Sequence, residues 1–153
     1  MLAHTKSAFC AALLLGLIST PVQSAEIVLR FGSINTEGTA TYDKVLVPST
    51  RAIEDASDGR IEVALKPLGG YGKPTDLFNM VEKGDIEIAS TVQGYNPGRF
   101  PQSSVMELPL MFQNSVAGTE AMMALYKDGL LDKDYASVKV LALYVLPPYP
   151  VFT

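Results

Sequence analysis

The sequence predicts an α/β fold with a mostly parallel sheet flanked by helices. Short apolar or alternating runs stand at Ile27–Phe31, Ile61–Lys66, Ile86–Thr91 and Val138–Val145. Segments with helical periodicity separate the first three runs, and another precedes the last. Strands alternating with helices in this way favour parallel pairing with right-handed crossovers. The 153 residues suffice for one domain with a real core, and a hydrophobic content of 48% excludes a disordered chain.

Residues 1–24 read as a secretory signal. Lys6 and the amino terminus precede an uncharged run, Ser7–Ile18, which Pro21 ends. Val22-Gln23-Ser24-Ala25 then offers small residues for cleavage after Ser24 or Ala25. The run is too short for a good membrane span. Its removal takes away His4 and Cys10, the only histidine and cysteine. The exported chain then has no disulfide, no Cys or His metal ligand and no Cys or His nucleophile–base pair. Losing Lys6 from 12 basic residues leaves 11 against 16 acidic ones, so the net charge moves from −4 to −5. A nucleic-acid partner is not expected, because it would call for a basic stripe. A local pocket for a small anion is compatible with this balance.

Ile27–Phe31 is β-branched and apolar, and Gly32 stops it. Polar residues 33–41 lead to a helix over Tyr42–Ser57, with Val45, Leu46, Ala52, Ile53 and Ala56 on one stripe. Pro48 lacks an N–H, so the helix should kink or restart there. Asp58-Gly59 ends it, Gly59 suiting a left-handed cap. Ile61–Lys66 alternates cleanly and is the second strand. Pro67–Gly72 is a flexible loop, and Pro74 suits the first turn of the next helix. Leu77, Phe78 and Val81 form that helix's apolar face, and Gly84 terminates it. Ile86–Thr91 is the third strand. Asn114 or Ser115 can cap a third helix that runs to about Asp128, with Met122 and Leu125 inward and Gly129 at its end. Val138–Val145 is expected as a fourth strand, followed by a proline-rich stretch, Leu146–Thr153.

Ligands of open α/β sheets bind beyond the carboxyl ends of the strands. That rule selects three loops: Gly32–Glu37, Leu68–Lys73, and Val92–Asn96 leading to Arg99. Each combines glycine with hydrogen-bonding side chains, and glycine lets backbone amides approach a ligand. The candidate ligand-binding residues are Asn35, Tyr71, Gln93, Tyr95 and Arg99. Asn35 and Gln93 can donate and accept, while Tyr71 and Tyr95 offer a flat wall with a polar tip. Arg99 can clamp a carboxylate with two parallel bonds, or it can cap a helix or stand in solvent. Glu37 and Lys73 read as solvated. Met106, Leu108, Leu110, Met111 and Phe112 read as core or lobe packing.

Two motifs fail on inspection. Gly69–Thr75 lacks phosphate-loop spacing, because Pro67 and Pro74 stand where glycine and Ser or Thr are needed. Arg30–Ile34 is not a nucleophile elbow, because the required second glycine is missing. No motif asks for a cofactor or a metal.

Three segments together resemble a known family: "LRFGSINTEGTATYDK", "IEDASDGRIEVALKPLGGYGKPTDLFNMVEKGDIEIAS" and "GYNPGRFPQSSVMELPLMF". The chain is similar to solute-binding proteins of tripartite ATP-independent periplasmic (TRAP) transporters, DctP type. The resemblance is carried by the ordered set: Ser57-Asp58-Gly59-Arg60 before an alternating strand, a glycine loop, Glu82–Asp85 closing a helix, and Leu108–Phe112. It implies two α/β lobes closing on an organic acid, usually a carboxylate, which is handed to a membrane-embedded permease from the periplasm. It places polar ligand contacts after the first and third strands, near Asn35 and near Gln93–Tyr95. The family's principal carboxylate-binding arginine lies in sequence beyond residue 153, so Arg99 does not inherit that role. On this reading residues 25–153 are the N-terminal lobe and the chain is a fragment. Pro48 within the first long helix is a smaller departure. A single lobe leaves half the crevice in water, so weak binding or none is expected.

Two other readings stay open on the residues alone. One is a secreted α/β enzyme such as a hydrolase, using carboxylate or serine chemistry. The other is a non-catalytic interaction domain.

Overall fold

A computed structural model describes residues 25–108 and 111–146. The signal segment, Pro109 and Leu110 of the Leu-Pro motif, and the end of the proline-rich stretch fall outside the described residues.

The sheet has three parallel strands in the order β2-β1-β3, formed by β1 (Ile27–Ser33), β2 (Ile61–Lys66) and β3 (Ile88–Ser90). β1 is central. It pairs with β2 from Ile27↔Ile61 to Gly32↔Lys66, and with β3 over Phe31–Ser33. β1 runs two residues past the predicted stop at Phe31. Gly32 belongs to the strand because its missing side chain makes room: a Cβ there would lie 2.8 Å from Leu77 Cδ2 and 3.1 Å from Ile86 Cδ1. β3 is shorter than predicted. Glu87 N–H donates to Arg30 O at 3.1 Å, but the Glu87 carboxylate takes the Arg30 N–H at 2.6 Å. A side chain thus fills a ladder position, and strand pairing begins one residue later.

Neighbouring strand residues point to opposite faces. Phe31 and Val63 face α1 (Val47–Ala56) and the turn before it, in a core with Tyr42 and Leu46. Gly32 faces α2 (Leu77–Lys83). The sheet is therefore covered by a helix on each face, as an α/β fold requires.

Pro48 sits in the first turn of α1, and residues Tyr42–Leu46 ahead of it form a π turn. The Val47 N–H reaches back five residues to Tyr42 O. The widened turn accommodates a ring that cannot donate and would clash with the carbonyl four residues back. The buried stripe differs from the predicted one. Tyr42, Leu46, Thr50 and Ser57 are buried and Ile53 is half-buried, while Val45, Ala52 and Ala56 are exposed. Polar residues hold inward positions because their hydroxyls are satisfied locally: Thr50 Oγ1 donates to Val47 O at 2.8 Å and Ser57 Oγ to Glu54 O at 2.8 Å. Gly59 and Gly84 carry the expected positive φ of 74° and 77°.

A second core lies under the chain after β3, with Phe78, Phe100, Met106, Met122, Leu131 and Tyr135. Two helices complete it, α3 (Ser115–Lys127) and the short α4 (Asp132–Tyr135). Asn114 Oδ1 caps α3 by accepting from Ala117 N at 2.9 Å. Of the apolar residues expected to pack, Met106 is buried and Phe112 half-buried, but Leu108 and Met111 are exposed.

The predicted strand Val138–Val145 is not in the sheet. Residues 139–146 carry no regular structure, and Val138, Val140, Leu143 and Val145 lie against the second core. The inward residues are even-numbered up to 140 and odd-numbered from 143. That slip breaks the two-residue alternation that a half-buried strand needs. One backbone donor of this stretch is met by a side chain, with Val145 N bonded to Thr119 Oγ1 at 2.9 Å.

Candidate functional site

The three strand exits are stitched together at one rim. Ile34 N, just past β1, donates to Ser90 O at the end of β3 at 3.2 Å. Leu68 N, after β2, donates to Asn35 O at 3.0 Å. The polar loops predicted to line a cleft therefore meet where parallel strands end.

Asn35 stands at the centre of this rim. Ser33, 2% exposed, accepts from the Asn35 N–H at 2.9 Å and from its Nδ2 at 3.2 Å. The hydroxyl holds the amide at the mouth of the central strand. Gln93 and Tyr95 belong to a 3-10 turn, Gln93–Tyr95, close behind β3. The Tyr95 ring is 45% exposed, and Gln93 Nε2 meets the Tyr135 hydroxyl at 2.9 Å.

Tyr71 and Arg99 are placed differently. Tyr71 folds back over Gly32, its hydroxyl donating to Ala64 O at 2.9 Å inside β2. Burial raises its pKa above the ordinary tyrosine value, and nearby Arg30 opposes the rise. Arg99 turns to α2, where its guanidinium pairs with Glu82 and lies 4.6 Å from the Phe78 ring centre. The carboxylate that Arg99 meets is thus one of the chain's own.

A concavity of about 210 Å³ opens beside the 3-10 turn, with Gln93, Gly94, Asn96, Ser104 and Glu107 in its wall. The Glu107 carboxylate accepts the Gly94 N–H at 3.0 Å. Asn96 Nδ2 and Thr91 Oγ1 are buried without a hydrogen-bond partner among the described residues. A larger hollow of about 330 Å³, between the start of α3 and Tyr144–Val145, shares no residue with the strand exits. Among the described residues, no group of three or more His, Cys, Asp or Glu side chains is arranged to hold a metal ion.

Residues 31–145 fit the DctP model, described as bacterial extracellular solute-binding protein, family 7. The chain belongs to that family. Among solved structures, a marine metagenome TRAP solute-binding protein specific for aromatic acids, in complex with 3-hydroxybenzoate, is 34% identical, with a TM-score of 0.73. The match covers 79% of this chain and 38% of that one. A TRAP solute-binding protein from Rhodoferax ferrireducens with copurified benzoate is 28% identical, covering 76% of this chain and 36% of that one at a TM-score of 0.70. One from Desulfovibrio salexigens is 26% identical, covering 78% and 37% at a TM-score of 0.70. This chain therefore spans well under half the length of the solved relatives it matches. The DctP family is one of solute-binding proteins, not of enzymes.

The motifs that carried the resemblance have physical roles in this DctP chain. Ser57 Oγ accepts from Ile61 N at 3.0 Å, Arg60 Nε donates to Ser57 O at 3.1 Å, and Asp58 and Gly59 between them both take positive φ, 54° and 74°. Ser-x-Gly-Arg is thus the joint between α1 and β2. Glu82-x-Gly-Asp closes α2: Gly84 takes positive φ, Asp85 N bonds Met80 O at 2.8 Å, and Glu82 receives Arg99.

Sequence reasoning missed α4 and its two buried polar side chains, Asp134 and Tyr135. Asp134, 5% exposed, accepts from Ser103 N at 2.6 Å, Ser103 Oγ at 2.8 Å and Gln102 N at 3.0 Å. Tyr135, 8% exposed, meets Gln93. Their partners lie 31 to 42 residues away, so no local pattern announces them.

Proposed function

We propose that this chain is the ligand-capturing part of a TRAP transporter's solute-binding component. It takes a small organic acid through its carboxylate and serves a membrane-embedded permease from the periplasm. Residues 1–24 act as the export signal and residues 25–153 as the N-terminal lobe. The observation that carries the reading is the joining of the three strand exits through Ile34–Ser90 and Asn35–Leu68, which gathers polar loops at one rim. Asn35, Gln93 and Tyr95 are the direct ligand contacts, the two amides meeting the carboxylate and the exposed ring facing the acid's body. Tyr71 backs the wall, and Arg99 braces the loop against α2 rather than meeting the ligand. The aromatic acids named for the relatives at 34% and 28% identity make an aromatic monocarboxylate the first candidate.

The test is a titration of the ¹⁵N-labelled chain with benzoate and 3-hydroxybenzoate, following backbone amides. The expected result is saturable shifts confined to residues near Asn35 and Gln93–Tyr95. Shifts scattered over both helical faces, or none at all, would remove the reading.

A further inference from the structure

We propose that Tyr135 is a positioning residue for the ligand site, acting from behind the rim through Gln93; this rests on the carboxylate-binding reading above. Six links, three of them hydrogen-bonded and three along the chain, form a closed circuit beside β3. The Gln93 amide meets the Tyr135 hydroxyl at 2.9 Å. Tyr135 adjoins Asp134 on α4, and Asp134 gathers the Ser103 N–H and hydroxyl at 2.6 and 2.8 Å. Ser103 opens the 3-10 turn Ser103–Glu107, and the Glu107 carboxylate returns to the Gly94 N–H at 3.0 Å. Gln93 and Gly94 are neighbours, so the circuit closes on the loop expected to meet the acid.

Tyr135, Asp134 and Ser103 form the buried side of this circuit. All three are more than nine-tenths buried, whereas Gln93 is half-buried and Gly94 and Glu107 are exposed. The Tyr135 ring is fixed by aromatic neighbours, with centroids 5.5 Å from Phe100 and 6.2 Å from Tyr126. A rigid hydroxyl therefore holds a side chain that reaches solvent. A free glutamine samples many rotamers, and ordering it on ligand binding costs free energy. Tyr135 meets that cost in the free protein: Nε2 of Gln93 gives one N–H to the hydroxyl and presents its second N–H, the donor a carboxylate needs, at a set angle.

The experiment compares the full chain with Tyr135→Phe, Gln93→Ala and the double variant. Benzoate binding is followed by amide shifts and folding by thermal melting. Tyr135→Phe keeps the ring and its aromatic contacts, and is expected to weaken apparent affinity about fivefold, the loss of one hydrogen bond's worth of order. The double variant is expected to bind no more weakly than Gln93→Ala, because Tyr135 acts only through Gln93. The side-chain amide signals of Gln93 are expected to move in Tyr135→Phe without ligand. A merely structural Tyr135 would lower the melting temperature and add its effect to that of Gln93→Ala; additivity overturns the proposal. Equal affinity of Tyr135→Phe and the unaltered chain also overturns it while leaving the carboxylate reading intact. If benzoate moves no amide of the unaltered chain, that reading fails and the positioning role falls with it.

Discussion

At the residue scale, the Arg30–Glu87 pair shows how one carboxylate can replace part of a strand ladder. Glu87 accepts from Arg30 N at 2.6 Å, Nη2 at 2.6 Å and Nε at 3.0 Å. These bonds, side-chain first and backbone second, lower its pKa to about 2. A carboxyl lowered on folding contributes stability above its ordinary range, and loses it as pH falls toward the folded value. Thermal melts from pH 5 to pH 2 are therefore expected to show a falling melting temperature, and Glu87→Gln is expected to flatten that fall. Both side chains are partly exposed, so added salt should weaken the effect. Legibility at this scale is uneven. The helix-ending glycines Gly59, Gly84 and Gly129 were readable because the left-handed conformation there favours glycine. The engagement of Arg99 by Glu82, 17 residues away, was not, because an arginine's partner depends on which loop folds beside it.

At the element scale, the contact between β1 and α2 depends on a missing methyl. Leu77 and Ile86 are 2% and 1% exposed and have little room to retreat from a Cβ at Gly32. Gly32→Ala is expected to cost about 1–3 kcal/mol by overpacking, measured by urea denaturation with an unchanged slope. Strands β1 and β2, helix α2 and the cap of α3 were readable, because period and capping residues are local signals. The inward stripe expected over Tyr42–Ser57 was legible only in part: Leu46 and Ile53 point inward, but Thr50 and Ser57 also take core positions once their hydroxyls find nearby carbonyls. Val138–Val145 was taken for a strand on composition. Its burial pattern slips between 140 and 143, and among the described residues no neighbouring strand provides a ladder. Helix α4 has only four residues, too few for a periodic signal.

At the scale of the whole molecule, the rim offers a ligand a small number of polar contacts in open water. Each such hydrogen bond contributes about 1 kcal/mol net, so three give a dissociation constant on the order of millimolar or weaker. Calorimetry of the chain with 3-hydroxybenzoate is expected to show no heat of tight binding, while the titration above still saturates at high ligand. A micromolar constant would mean that this rim alone encloses the acid. The meeting of the polar loops at one rim was legible, because strand order and the rule for open sheets select it; the contacts of Tyr135 and Asp134 behind it were not, because they are long-range. One feature of the sheet bears on the chain's behaviour in company. Glu54 Oε1 accepts the Val63 N–H at 2.9 Å from the outer side of β2. That carboxylate plugs the middle of a border that a stray peptide would otherwise recruit, so extension of the sheet by another molecule is steered to the opposite flank, beside β3.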